Sequence, residues 1–227
     1  MIGVKRSPEV PAILAQSRAK DRYRSQEVVD RLVADFHNKC YVCEIAPLQG
    51  IDVEHLRPHK GGSYPDRMFD WNNLFLSCPH CNKTKAKQKY DEGIIDCCVR
   101  DPEALLEQNL IENEVSVNVL VEDDREATLT AELIEEVFMS DNPPIRGYEA
   151  DMRLRELQKR MNLLYKNLAA YKKNQSDQFA KKTLVALLRP ESAFAGFVRC
   201  YVRRHLSDYP ELAPYVAHGE RLKEETH

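Results

Sequence analysis

The sequence has no large net charge: 33 basic and 36 acidic residues leave −3 over 227 positions. Bulk charge alone gives no reason to expect a polyanionic partner. It has no window approaching eighteen apolar residues, which argues against a transmembrane helix. Its start, MIGVKRSPEVPAIL, has a brief basic stretch but no apolar core of the kind a secretory leader needs, so a cytoplasmic location is expected. There is no internal repeat and no low-complexity tract, which sets aside solenoids and compositionally biased tails. In a cytoplasmic setting the seven cysteines point to metal binding or ordinary burial before disulfides.

The charge is unevenly distributed. Residues 91–142 hold 16 acidic and 2 basic residues, residues 143–205 hold 14 basic and 5 acidic, and residues 1–90 hold 15 basic and 10 acidic. An acidic middle lies between basic flanks. Such runs are either solvated helix faces or a basic surface for phosphates beside an acidic surface for a partner.

Hydrophobic periodicity divides the chain further. Residues 1–21, with Pro8 and Pro11, read as an extended arm. Val28, Val29, Leu32, Val33 and Phe36 share one face of a helix over 22–37. The cysteine-rich block that follows, to about residue 90, is short in regular structure. Within the acidic segment 91–142, VSVNVLV (115–121) alternates as a strand does, and 132–138 read as a short helix. SDNPP (140–144) is the best boundary. Beyond it Leu154, Leu157, Met161, Leu164, Leu168 and Tyr171 form one helical stripe, and QFAKKTLVALL and AFAGFVRCYVRRHL predict two more helices. The expected class is α+β, mostly helical, with four parts: 1–21, 22–90, 91–142 and a helical domain over 143–227.

Four cysteines fall into two pairs, CYVC (Cys40, Cys43) and CPHC (Cys78, Cys81). A CxxC turn aims two thiolates at one point, and two such turns complete a tetrahedron around a structural Zn²⁺. Thirty-four residues separate the pairs, so the intervening segment is a module in its own right. No thioredoxin-like pattern surrounds either pair, which argues against a redox role. His80 is expected to be a bystander, and Cys97, Cys98 and Cys200 to be ordinary buried residues.

Between the pairs runs VEHLRPHKGG, which sets Glu54 directly against His55. Phosphodiester hydrolysis needs a base for water and a hard cation for the phosphate and leaving oxygen. Mg²⁺ or Mn²⁺ takes oxygen ligands, so Glu54 and the amide of Asn82, directly after the last cysteine, are candidates to hold it. His55 is the natural base. Consecutive strand residues point to opposite sides, so both can face one site only at a distorted strand or a loop edge.

VEHLRP, WNNLFLSC and CNKTK stand in the order of the HNH nuclease pattern, and over about fifty residues the block resembles that ββα-metal family. The resemblance implies a ββα-metal core with a zinc knuckle in 22–90. It implies His55 as general base, Glu54 and Asn82 as ligands of the catalytic cation, and Asn73 as the residue that pins the His55 loop, with Asn72 as the alternative. Glu54 departs from the Asp or His of many members, and is one methylene longer than Asp. Arg57 and Lys85 are expected to contact phosphates, though the lysines after Asn82 also suit a solvated helix start.

KRSPEVPAIL, YRSQEVVDRL, VEHLRP and DWNNLFLSC also resemble the HNH subunits of Septu antiphage systems and their retron-associated relatives. That resemblance implies an antiviral-defence nuclease whose partner is an ABC/SMC-like ATPase and, for the retron-linked members, a reverse transcriptase with its RNA–DNA. DNA is the favoured substrate, with tRNA or other RNA as the alternative. The competing readings are a non-catalytic zinc module that bridges nucleic acid to a partner, and a zinc adaptor that touches no nucleic acid.

Overall fold

The computed structural model describes residues 1–15, 22–139 and 144–217. In chain order the helices are α1 (Ala12–Ala15), α2 (Gln26–Asp35), α3 (Pro65–Met68), α4 (Pro79–Lys85), α5 (Pro102–Leu105), α6 (Arg125–Met139), α7 (Pro144–Lys173), α8 (Gln178–Leu188), α9 (Ala195–Arg204) and α10 (Ala213–Val216). The strands are β1 (Asp52–His55), β2 (Leu74–Ser77), β3 (Leu106–Ile111) and β4 (Glu114–Val119).

Two antiparallel hairpins carry these strands. β1 pairs β2 with His55 opposite Leu74 and Asp52 opposite Ser77. Every residue of β2 is buried, and α4 follows it at once, so β1, β2 and α4 form the ββα unit. Cys78 caps α4 and Pro79 supplies its first turn, where a missing N–H costs nothing. β3 pairs β4 across a tight turn at Glu112, whose φ of 56° is left-handed. LEQNLI gave no alternating apolar signal: its central Gln108 and Asn109 are polar but buried.

The helices extend the expected periods. Ser25 caps α2, its hydroxyl accepting from the Val28 N–H at 3.4 Å. Asp124 accepts from the Ala127 N–H at 3.0 Å, so α6 begins at Arg125, well before the apolar run that suggested it. The stripe over 154–171 lies inside the longer α7. Most of the 140–144 boundary lies outside the described residues, as do 16–21 of the arm.

The described parts share one hydrophobic core, running from Leu32 and Phe75 through Phe138 to Leu164 and Phe197. The first residues belong to it. Met1 and Ile2 are buried, and Arg6 lies 4.7 Å from the Trp71 ring centre and 4.9 Å from that of Phe75. The C-terminal helices reach the cysteine block directly. The Gly196 N–H at the start of α9 donates to the buried Glu44 carboxylate at 3.1 and 3.2 Å, beside Cys43. Among the described residues no helix is long and apolar enough to cross a membrane.

Candidate nuclease and metal site

Cys40, Cys43, Cys78 and Cys81 are buried, and their sulfurs lie within 4.8 Å of one another. Zn–S bonds of ~2.3 Å set a tetrahedral edge of about 3.8 Å, and the Cys43–Cys78 sulfurs are 3.9 Å apart. The four residues therefore fit zinc. Burial pushes the Cys43 and Cys81 thiols well up, whereas hydrogen bonds from the other three cysteines hold Cys78 far below the usual thiol range. A cation held by all four would bind them as thiolates. The knuckle is tied to its surroundings: the Tyr41 N–H donates to the Leu76 carbonyl at 3.0 Å, and Arg153 of α7 lies 3.2 Å from the Cys78 sulfur. His80 is no ligand. Its ring nitrogens are taken by Glu149 at 2.8 Å and the Val137 carbonyl at 2.9 Å. Of the other cysteines, Cys97 and Cys200 are buried and Cys98 is partly exposed.

Next to the knuckle, an open cleft of about 220 Å³ is lined by Glu54, His55, His59, Asn82, Lys85 and Tyr90, among others. Glu54 and His55 reach it together because His55 ends β1 where the chain bends away. The His55 Nε2 lies 3.1 Å from the Met68 carbonyl. A carbonyl only accepts, so Nε2 carries the proton and Nδ1 holds the lone pair. Burial lowers the His55 pKa to about 4; the Met68 carbonyl opposes this, and His59, Lys85 and Arg24 add to it. The imidazole is therefore neutral at pH 7. Tyr23 and His59 pack on it edge to face, each 4.7 Å between ring centres.

The loop carrying His55 is held by Asn73. Its Oδ1 accepts from the Arg57 N–H at 2.8 Å, and its Nδ2 donates to the Arg57 and Arg67 carbonyls at 2.9 and 2.8 Å. Asn73 is buried, whereas Asn72 is exposed and uses only its backbone N–H, which donates to Asp70 at 3.0 Å. The geometry thus gives the pinning contacts to Asn73.

Glu54 is 5% exposed. One of its oxygens accepts from the Tyr41 hydroxyl; the other lies 2.6 Å from the Lys85 ammonium, which also donates to the His55 carbonyl at 3.0 Å. Lys85 differs here from the expected phosphate contact: Asn82 and Lys85, three apart on α4, share the helix face turned to β1, so Lys85 is buried in an ion pair. Arg57 is 56% exposed, with its guanidinium 3.4 Å from Glu126. The cleft fits a hard cation. Glu54 and Asn82, which both carry oxygen donors, line it, and the Lys85 ammonium already stands in for positive charge against Glu54.

Residues 40–88 match the model of the HNH endonuclease family. The matched segment contains both cysteine pairs, β1, β2 and α4. Septu protein PtuB of Bacillus mycoides (strain KBAB4) is 31% identical over 83 residues, a match covering 31% of this chain and 28% of that relative's length. No solved structure matches the chain.

Sequence reasoning passed over three residues at this site. Asp52 lies two positions before Glu54, a period-two spacing that places it on the same strand face. Tyr41 sits between two zinc cysteines, where nothing in the sequence linked it to Glu54. His59 packs on the His55 ring, a contact that nothing in the sequence signalled.

Proposed function

We propose that the protein is a metal-dependent endonuclease that hydrolyses phosphodiester bonds, acting in antiphage defence under the control of an ABC/SMC-like ATPase. The observation that carries the reading is the convergence of Glu54, His55 and Asn82 on one cleft beside a four-cysteine site, with Asn73 clamping the loop that bears the base. A bound Mg²⁺ or Mn²⁺, held by Glu54 and the Asn82 amide oxygen, would supply charge neutralisation at the scissile phosphate and leaving oxygen. His55 Nδ1 takes a proton from the attacking water. The resulting imidazolium keeps its Nε2–H on the Met68 carbonyl, which fixes the ring and supports the new charge. The packing of Tyr23 and His59 limits ring rotation.

Control by a partner draws support from the acidic segment. Glu132 and Glu136 of α6 pair with Lys87 and Lys89, Glu126 pairs with Arg57, and Asp91 pairs with Lys60 at 2.9 Å. Cations flanking the cleft are thereby engaged by the chain's own carboxylates, as a held-off state requires. Nucleic-acid phosphates would have to displace them.

The second reading, a non-catalytic zinc module, rests on Glu54, whose two oxygens are both already engaged. Incubation of the full chain with plasmid DNA and with total tRNA, in Mg²⁺ or Mn²⁺ and with or without a candidate ATPase, separates the possibilities. Cleavage that rises with the ATPase supports the proposal, and the substrate cut decides DNA against tRNA. Equal cutting without it removes the gating, and no cutting in any mixture favours the module.

A further inference from the structure

The Asn82 amide presents an oxygen to the cleft only if its nitrogen is held elsewhere. That nitrogen donates to an Asp52 carboxylate oxygen at 2.8 Å. An ionised carboxylate only accepts, so it can face the –NH₂ group of the amide and not its oxygen. Turned the other way, the amide would offer the cleft an –NH₂ group, which cannot ligate a hard cation. Asp52 is not among the residues that line the cleft, so it acts from behind Asn82.

The fold makes this contact systematic. Asp52 and Glu54 lie on one face of β1, and Asn82 and Lys85 lie on one face of α4. Two rungs cross between strand and helix, Asp52 to Asn82 and Glu54 to Lys85. Val53 between them is buried.

We propose that Asp52 is a positioning residue that orients the Asn82 amide so that oxygen faces the cation site. This rests on the reading that Asn82 holds the metal. The test is a double-mutant cycle read by Mn²⁺ binding to the zinc-loaded full chain, with free Mn²⁺ measured by electron paramagnetic resonance. Asp52→Ala should weaken binding by about 10-fold or more, as loss of an outer partner of a metal ligand does. In the Asn82→Asp background the same change should cost little, because a carboxylate offers oxygen in either orientation. Equal weakening in both backgrounds would mean that Asp52 acts through charge or folding alone, and would overturn the proposal. So would unchanged binding by Asp52→Ala. Asn82→Ala reports on the underlying reading: if it binds Mn²⁺ as wild type does, Asn82 is no ligand and the positioning role falls with it. Zinc content and thermal midpoint, measured on each variant, show that the fold is intact. Should Asp52→Ala fail to fold, Asp52→Val, a good strand residue with no acceptor for the Asn82 nitrogen, takes its place in the same cycle with the same two outcomes.

Discussion

Asn73→Ala removes three hydrogen bonds that join residues 57 and 67 of the loop to the residue just ahead of β2. Each such bond contributes roughly 1 kcal/mol net, so the loss is about 3 kcal/mol, reduced where water reaches the exposed Arg57 backbone. For a domain of this size, that converts to a fall in melting temperature of roughly 6–12 °C. The functional cost should be larger than the stability cost. His55 is followed directly by the unpinned segment, and a misplacement of ~1 Å at a reacting group costs about 100-fold in rate. Asn72→Ala is the internal control: its side chain is exposed, and the change should stay within about 0.5 kcal/mol. Calorimetry and a cleavage assay on zinc-loaded protein measure both. If Asn73→Ala melts and cuts like Asn72→Ala, the clamp is not what holds the base, and the reasoning from these three bonds is wrong.

Other expectations follow from the same contacts. A strong chelator that strips the four buried cysteines should unfold the knuckle, seen as loss of cooperative melting, whereas withdrawal of Mg²⁺ alone should leave the melting curve unchanged. Lys85→Met strands Glu54 without its cation and should cost about 3 kcal/mol; added Mg²⁺ should recover part of that loss, and no recovery would argue that no cation can stand where the ammonium stands. A free imidazole titrates near ~6.5, but the burial of His55 places its pKa at about 4. The base works when neutral, so activity should persist below pH 6 and be lost as pH falls through about 4; a pH–rate profile with its acid limb near 6.5 would contradict this.

Much of the site was legible because its signals are local. Two CxxC turns, Glu54 beside His55, and Asn73 ahead of an apolar run each declare themselves within a few residues, and the heptad-like stripe of α7 needs no partner to be recognised. What was not legible depends on pairing between distant segments. β3 hides because Gln108 and Asn109 are polar yet buried, and its identity as a strand comes from β4. Lys85 resembled a surface lysine until β1 was placed against α4. The first residues read as a loose arm because Met1, Ile2 and Arg6 are too few to show a period, yet Met1 and Ile2 are buried and Arg6 packs over Trp71 and Phe75. The acidic middle read as a surface for a partner or for water, and several of its carboxylates instead pair with cations of the chain's own basic flank, at Arg57, Lys60, Lys87 and Lys89.

The most direct test of the central claim is the single-turnover rate of Mg²⁺- or Mn²⁺-dependent nucleic-acid cleavage by wild type and His55→Ala, each verified to carry one zinc. The account predicts cutting by wild type and a loss of about 100-fold or more in the variant, as removal of a general base entails. Cutting at the same rate by both proteins would contradict it and would place the chemistry somewhere other than the Glu54–His55 cleft.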